Sequence, residues 1–364
     1  MLILGLESSC DETAAAVVDD GVSVRADVVA SQHSLHRPYQ GVVPEIASRA
    51  HLERVLPTVR TAIAEAGIEL GDLGAIAAGV RPGLIGSLLV GTSAAKGLAW
   101  GLGLPFIAVD HVEAHLHAGL LEAPPAGFPA FGLVVSGGHT AFFEVGAAGV
   151  ERRLGRSIDD AAGEAFDKAA AMLGLEHPGG PKLAALAREG DDRRFPLPRP
   201  VLDRHAFDVS YSGLKTAFRR IVLAQLGIED PAADPRRHAG NLPDRDRADL
   251  AASFEAAAID TILAKVSLAF EAPRSSPPTF RTLLAGGGVV SNERLRSGLF
   301  SIAERHGLDL RLPRPAWCVD NAAMIAGAAF ARAAAGESDS LGTAAEPLSK
   351  WSCAVAWSAG RERR

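Results

Sequence analysis

His111 and His115 stand one helical turn apart in the run His111-Val112-Glu113-Ala114-His115. Imidazoles at i and i+4 share a helix face and can grip one metal ion. In the His-Glu-x-x-His motif of zinc proteases, the general-base Glu follows the first His directly. Val112 holds that place here. Glu113 is rotated about 200° from His111, at about 100° per residue, and so faces away from an ion held by the pair. The spacing therefore points to a metal site and argues against peptide hydrolysis. A third ligand is available far along the chain, in Trp317-Cys318-Val319-Asp320-Asn321. Asp320 suits either the N-cap of the Ala-rich helix that follows, Ala322 to Ala335, or a carboxylate ligand. As a ligand it would complete a three-residue site with open positions, the arrangement of catalytic metals.

Two glycine turns could serve a nucleotide. Ser136-Gly137-Gly138 ends an apolar strand, Phe131 to Val135, and such turns let backbone N–H groups approach a phosphate. Leu283 to Ala285 runs into Gly286-Gly287-Gly288, and a helix with Leu295, Leu299 and Ile302 on one face follows, capped by Ser291 or Asn292. No Gly-Lys-Ser/Thr follows the glycines, and their spacing is not the dinucleotide fingerprint. A helix is expected from Ser157 to Leu173, with Asp160, Glu164 and Asp167 in an acidic stripe and Lys168 paired with Glu164. His177-Pro178-Gly179-Gly180-Pro181 is a rigid turn that could border a ligand.

These segments need a frame. Leu2–Leu6 and Ala14–Val18 read as strands joined by the polar turn Glu7-Ser8-Ser9-Cys10-Asp11-Glu12-Thr13. Phe131–Val135 and Ala141–Val145 repeat that pattern around Ser136–Thr140, which suggests a duplication with two lobes facing across a cleft. Between the units lie a helix from Pro44 to Glu65 (apolar face Ile46, Leu52, Val55, Leu56, Val59), a strand from Leu73 to Val80, a Gly- and Ala-rich helix to about Leu102, and a strand from Phe106 to Val109. The alternation indicates α/β architecture with mixed sheets. Ile228–Arg247 and Ala272–Thr279 read as loops, and the chain beyond about Glu337 as loosely structured, with Trp351 and Trp357 hinting at a docked tail.

At 364 residues the chain has room for two domains. Hydrophobic content of 48% and charged content of 22% are those of a soluble globular protein. Cys10, Cys318 and Cys353 form no paired framework, which fits a reducing cytosol. No apolar run is long enough to span a bilayer, and Met1–Gly5 lacks the features of a signal peptide. A net charge of −6 argues against a generally nucleic-acid-coated surface. Arg188, Arg193, Arg194, Arg199 and Arg204 nevertheless form a local basic cluster.

Together these segments resemble the TsaD (Gcp/YgjD) family, the tRNA N6-adenosine threonylcarbamoyltransferases. The resemblance rests on Gly5–Thr13, Gly41–Glu45 with Ala47-Ser48-Arg49, His111–His115, Val135–Thr140 and Asp159–Lys168. It continues through Pro178–Pro181, Ser210–Thr216, Gly287–Val289 with Asn292, and Cys318–Asn321, and covers roughly residues 1–335. It implies an actin/hexokinase-like (ASKHA) fold, two duplicated RNase-H-like lobes around a nucleotide cleft. Residues 1–130 plus about 322–345 would form the N-terminal lobe, 131–321 the C-terminal lobe, and 346–364 a tail. It implies one divalent ion, Fe(2+) or Zn(2+), on His111, His115 and Asp320. Contacts with ATP or threonylcarbamoyl-AMP would fall on Val134, Val135, Ser136, Gly137, Gly138, Asp167, Gly180, Gly287, Gly288 and Asn292. Asp11 and Glu12 match positions implicated in activity. Archaeal relatives offer a Tyr ligand where this chain has Val134, so the ion would lean on water or substrate.

The implied reaction moves a threonylcarbamoyl group from threonylcarbamoyl-AMP to N6 of adenosine 37 in tRNAs that read codons starting with A. Arg193 and Arg194 become candidate tRNA contacts. The implied partners are tRNA, a paralogous TsaB-type subunit, the small P-loop ATPase TsaE, and a TsaC-type synthase that supplies the intermediate, all in the cytoplasm and away from membranes. The competing readings are a sugar or acid kinase of the same fold, a metalloprotease, and a nucleotide-gated assembly subunit.

Overall fold

The two strand–turn–strand units begin two matching five-stranded sheets. The computed structural model describes residues 1–39, 41–200, 207–271 and 280–351. The first sheet contains β1 (Leu2–Glu7), β2 (Glu12–Asp19), β3 (Ser23–Ser31), β4 (Leu73–Arg81) and β5 (Phe106–Asp110), in the order β3-β2-β1-β4-β5. The second contains β6 (Ala130–Val135), β7 (Thr140–Gly146), β8 (Gly149–Arg156), β9 (Thr282–Gly286) and β10 (Asp309–Arg311), in the order β10-β9-β6-β7-β8. Read from its other edge, the second order repeats the first strand for strand. Pairing sense repeats too: three antiparallel strands, then two added in parallel. The expected duplication is thus present in the topology.

Parallel neighbours need crossovers, and helices supply them. After α1 (His33–His36) come α2 (Pro44–Ala66) and α3 (Ile85–Leu102), which cover one face of the first sheet through Val55, Val59, Ala95 and Ala99. The helix α4 (His111–His117) follows β5 directly. In the second lobe α5 (Ala162–Met172), α6 (Gly179–Ala187), α7 (Ser212–Gln225), α8 (Asp244–Glu271) and α9 (Glu293–His306) cover one face. Strand alternation divides the layers: Phe131, Leu133 and Val135 join that core, while Ala130 and Val134 face the other way.

The two remaining faces are covered reciprocally. α4 leaves the first sheet, yet Val112 and Leu116 pack on the second, against Val134, Phe143 and Leu284. α10 (Ala322–Ala334) leaves the second sheet, yet Ala322, Ile325, Ala326 and Ala329 pack on the first, against Ile3, Ala16 and Ala77. Ala114 of α4 and Ala118 just after it join that second group, so the exchanged helices also touch each other. Close approach depends on bare backbone. A Cβ on Gly5 would overlap the Ala322 carbonyl, and one on Gly286 the His115 carbonyl.

Several expectations need correction. The helix expected from Ser157 starts at Ala162. Ser157 instead bridges to Val209, and the Asp159 carboxylate accepts the Tyr211 N–H at 2.8 Å, which keeps this stretch out of the helix. Asp160 is therefore off the helix and binds Lys168 at 2.7 Å and Lys215 at 2.5 Å, while the Lys168–Glu164 pair forms at 2.8 Å. In α2 the buried stripe is Ala47, Ala50, His51, Val55 and Val59; Leu52 and Leu56, expected inside, are 70% and 50% exposed. The segment 228–247 is not wholly loop, since α8 begins at Asp244 and Arg219 donates to the Pro231 and Ala233 carbonyls. Residues 272–279, Arg204, Cys353 and Trp357 lie outside the described residues. The chain after Glu337 is tied down: the Asp339 carboxylate accepts the Ala108 N–H at 2.7 Å, and the Ser349 hydroxyl donates to Asp110 at 2.7 Å.

Gly286→Ala tests the seating of α4. It should cost about 1–3 kcal/mol, the range for overpacking a tight contact, and should lower bound metal together with the urea midpoint. Unchanged values for both would show that α4 does not depend on this contact.

Candidate metal centre

The histidines lie on the helix that directly follows β5, and Asp320 lies just before the helix that follows β10. β5 ends in Asp110, whose side chain caps α4 by accepting the Val112 N–H at 3.0 Å. His111 and His115 follow on one face, with ring centroids 4.6 Å apart. The link after β10 ends at Asp320. Asn321, not Asp320, caps α10 by accepting the Met324 N–H at 2.9 Å, so the Asp320 carboxylate is spared for another task. Its Oδ1 lies 3.4 Å from Nε2 of both histidines.

The surroundings suit a metal. His115 is fully buried, and neither of its ring nitrogens has a hydrogen-bond partner. Leaving such atoms unpaired costs about 1–3 kcal/mol each, a debt that a bound ion would cancel at the atom it takes. His111 Nδ1 faces the Glu7 carboxylate at 2.9 Å, which turns Nε2 toward Asp320. Glu7 is itself held by the Ser9 N–H at 2.5 Å. Asp320 keeps 25% of its side-chain exposure, against 5% for His111 and 0% for His115, so the cluster is open to solvent through Asp320. Two nitrogens and one carboxylate oxygen on a tetrahedral or octahedral ion leave positions for substrate or water. Burial opposes charge on His111, but Glu7 and Asp320 outweigh it and hold the imidazole protonated well above its ordinary range. Burial also lifts Asp320, yet His111 and then His115 bring it well below the usual carboxylate range. Burial lowers His115, which stays neutral and ready to ligate.

Glu113 is turned away, as its spacing requires. It binds the Lys350 ammonium at 2.9 Å and accepts the Trp351 indole N–H at 3.3 Å. It cannot act as a base on a metal-bound water.

The glycine turns adjoin this cluster. The Ser136 N–H donates to the His139 carbonyl at 2.7 Å, closing the turn with Gly137 and Gly138 exposed, while Val134 and Val135 are buried in β6. Gly163, at the start of α5, donates to the Ser136 carbonyl at 3.2 Å. Gly287, with φ +100, lies so close to the Val135 carbonyl that a side chain would overlap it; Gly288 is open. Three bare backbone segments thus converge beside His115. Asp167 accepts the Gly179 and Gly180 N–H groups at 2.7 and 3.1 Å, which sets the start of α6. Asn292 caps α9 by accepting the Leu295 N–H at 3.0 Å and donates to Glu255 at 2.6 Å, so both ends of its amide have structural work.

Asp11 and Glu12 sit at the β1–β2 tip. His51 braces that tip: its Nε2–H donates to the Cys10 carbonyl at 3.0 Å, so Nδ1 accepts from Thr13 at 2.8 Å. Burial pushes the Glu12 carboxyl up to about 7; the Ser31 hydroxyl pulls the other way, and Asp11 and Asp320 add to the rise. Arg193 is exposed, whereas Arg194 pairs with Asp246 at 3.0 Å and Asp249 at 3.6 Å, which offsets much of its charge. Sequence reasoning gave no role to Glu7, His51 or His139. Glu7 carried a signal, as an acid closing an otherwise apolar strand.

The family model described as tRNA N6-adenosine threonylcarbamoyltransferase matches residues 23–327. A protein of that name from Pelobacter propionicus is 46% identical over 326 residues, covering 90% of each chain. One from Moorella thermoacetica is 47% identical over 330 residues, covering 90% of this chain and 91% of its own.

The chain belongs to the TsaD family.

The fold of this transferase is the actin/hexokinase-like one. The (R)-2-hydroxyglutaryl-CoA dehydratase component A of Acidaminococcus fermentans shares it at 13% identity, with a TM-score of 0.52 over 92% of this chain and 99% of that one. HypF of T. kodakarensis does so at 17%, also with 0.52, over 91% of this chain and 47% of its own. The two sheets described above are the duplicated halves of that fold. No helix among the described residues is long and apolar enough to cross a membrane.

Ligation requires a neutral His111, and its proton sits between Glu7 and Asp320. Metal affinity of the transferase should therefore rise with pH through roughly 6.5 and above, with about one proton released per ion at neutral pH. Calorimetry of zinc binding in buffers of different ionisation enthalpy reads this directly. An affinity that stays flat across roughly pH 6 to 8 would remove the proton from the site.

Proposed function

We propose that the chain modifies tRNA by moving the threonylcarbamoyl group of threonylcarbamoyl-AMP onto N6 of adenosine 37, in tRNAs that read codons starting with A. The observation that carries this reading is the His111–His115–Asp320 cluster, with its unpaired His115 nitrogens, set against three glycine-bearing segments in a member of this family. A divalent ion held by those three residues, iron or zinc, would polarise an oxygen of the donor as a Lewis acid.

The remaining work belongs to the chain. Backbone N–H groups of Gly137 and Gly138 cradle the phosphate, next to the N-terminus of α5, and the Ser136 hydroxyl, which accepts the His139 N–H at 3.1 Å, keeps its own proton to donate. Gly180 and the Asp167 oxygen not bound to the Gly179–Gly180 turn face the ribose. Gly287 and Gly288 offer bare backbone to the adenine, flanked by Asn292. The acceptor amine forms a bond to the carbamoyl carbon, the bond from that carbon to the phosphate oxygen breaks, and AMP departs. An aryl amine is a poor nucleophile, so holding both groups in place supplies much of the rate. The amine must also lose a proton. Glu12, with its carboxyl lifted to about 7, suits that transfer, and Asp11 beside it keeps the pKa raised.

An exposed apolar face supports the partner reading. Leu52 and Leu56 on α2 and Ile85 and Leu89 on α3 are exposed at i, i+4 spacing, and Ser48 meets Gly86 where the two helices touch. A paralogous TsaB-type subunit covering this face explains why these side chains stand in solvent. The P-loop ATPase TsaE, tRNA and a donor-supplying TsaC-type synthase complete the system, in the cytoplasm.

His111→Ala combined with His115→Ala should abolish bound metal and threonylcarbamoyl transfer together; full transfer by the metal-free double variant would sink the mechanism. Leu56→Asp with Leu89→Asp should weaken co-purification with the paralogous subunit by at least about tenfold, since each buried Leu contributes about 1.5–3 kcal/mol. Undiminished pairing would move the interface elsewhere.

A further inference from the structure

A cavity of about 190 Å³ lies beside the candidate metal centre, and of its lining only Gly138 enters the chemistry above. His139 lines it and also stands within electrostatic reach of His111, His115 and Asp320. Gly138 of the phosphate turn and Val112, next to His111 in the chain, also line it. The volume is below the roughly 300–1,000 Å³ of sites that enclose a whole small molecule, so it suits one part of a larger ligand.

The lining says which part. Phe143 and Trp351 meet edge to face at 6.1 Å. The Trp351 indole is held in place through its N–H to Glu113. Arg153 and Arg156 also line the cavity and belong to β8, the edge strand of the second sheet. An aromatic platform with arginines on a sheet edge is how a protein takes a single base from a nucleic-acid strand: the ring stacks and the phosphates beside it meet cations. A threonyl group has no ring to stack. Burial lowers the His139 pKa to about 4, so its imidazole is neutral and adds no repulsion toward the neighbouring cluster beyond its bulk.

We propose that this cavity receives the acceptor adenine, unpaired from its RNA loop and stacked on Trp351, with Arg153 and Arg156 engaging the flanking phosphates and His139 standing between the base and the metal ligands. This rests on the transferase reading of the site. It sets donor and acceptor side by side at the Ser136–His139 turn, the donor phosphate on its glycines and the acceptor base against His139, with Gly138 bordering both.

The test compares two anticodon stem–loop RNAs, one intact and one lacking only the base at the acceptor position, binding to the full chain with its partner subunits. The wild-type protein should prefer the intact RNA about tenfold or more, the lower part of the range for one stacked base. Trp351→Leu should bind both RNAs equally, and Trp351→Phe should restore part of the preference. Affinity for threonylcarbamoyl-AMP should not change in either variant. Full preference retained by Trp351→Leu would overturn the assignment, as would a loss confined to donor affinity, which would give the cavity to the threonyl group. If the wild-type protein transfers normally but ignores the missing base, the cavity assignment alone falls. If it transfers nothing to intact RNA, the transferase reading falls first.

Discussion

The structure depends on one reciprocal exchange. Each sheet sends the helix that follows its last strand onto the face of the other sheet, and those two helices pack on each other through small residues. Burial of Val112 and Leu116 on one side, and of Ile325 and Ala329 on the other, fastens the lobes with apolar area that neither lobe could cover alone. The functional consequence is geometric. The starts of α4 and α10 meet, and there lie His111, His115 and Asp320. A pair of candidate ligands one helical turn apart and a third some two hundred residues further on come within 4.8 Å because two copies of one topology are crossed.

Charge then determines what the meeting point can hold. Glu7 and Asp320 flank His111, so two carboxylates face one imidazole in a buried setting. Without an ion this arrangement binds a proton tightly; with one it orients Nε2 and strengthens the imidazole as a ligand. His115, deeper and without hydrogen bonds, contributes a neutral nitrogen. One histidine is thus tuned by carboxylates and the other by burial, although they share a helix face and differ by a single turn.

Glycine performs a second kind of work. Gly286 and Gly287 let β9 press against α4 and against the end of β6, so the nucleotide turns and the metal ligands share a wall. The same contacts that seat the helix therefore bring the Ser136–Gly138 turn next to the His111–His115–Asp320 cluster. Across that wall the edge strand β8 and the docked segment at Ser349–Trp351 build a second recess with a different chemistry, aromatic and cationic in place of bare backbone.

Much of this was legible in the chain. The i, i+4 histidines, the displaced Glu113 and the repeated strand–turn–strand pattern are periodic features, and local geometry preserves a period whatever the surroundings. The glycine clusters were legible for the same reason, because missing side chains declare a close approach. Tertiary packing alone decided the rest. Asp320 could have capped a helix; it became free to ligate because Asn321 took the cap. Leu52 and Leu56 fit an amphipathic stripe, yet the buried arc of α2 lies one position over, set by how the helix sits on the sheet. Ser157–Ala161 leads into the face pattern of α5, but contacts with Val209 and Tyr211 keep it out of the helix. Glu7 and His139 acquire their roles only through neighbours far away in sequence. Spacing along a chain specifies what residues can do together, and only burial and long-range contact determine which of them are brought together.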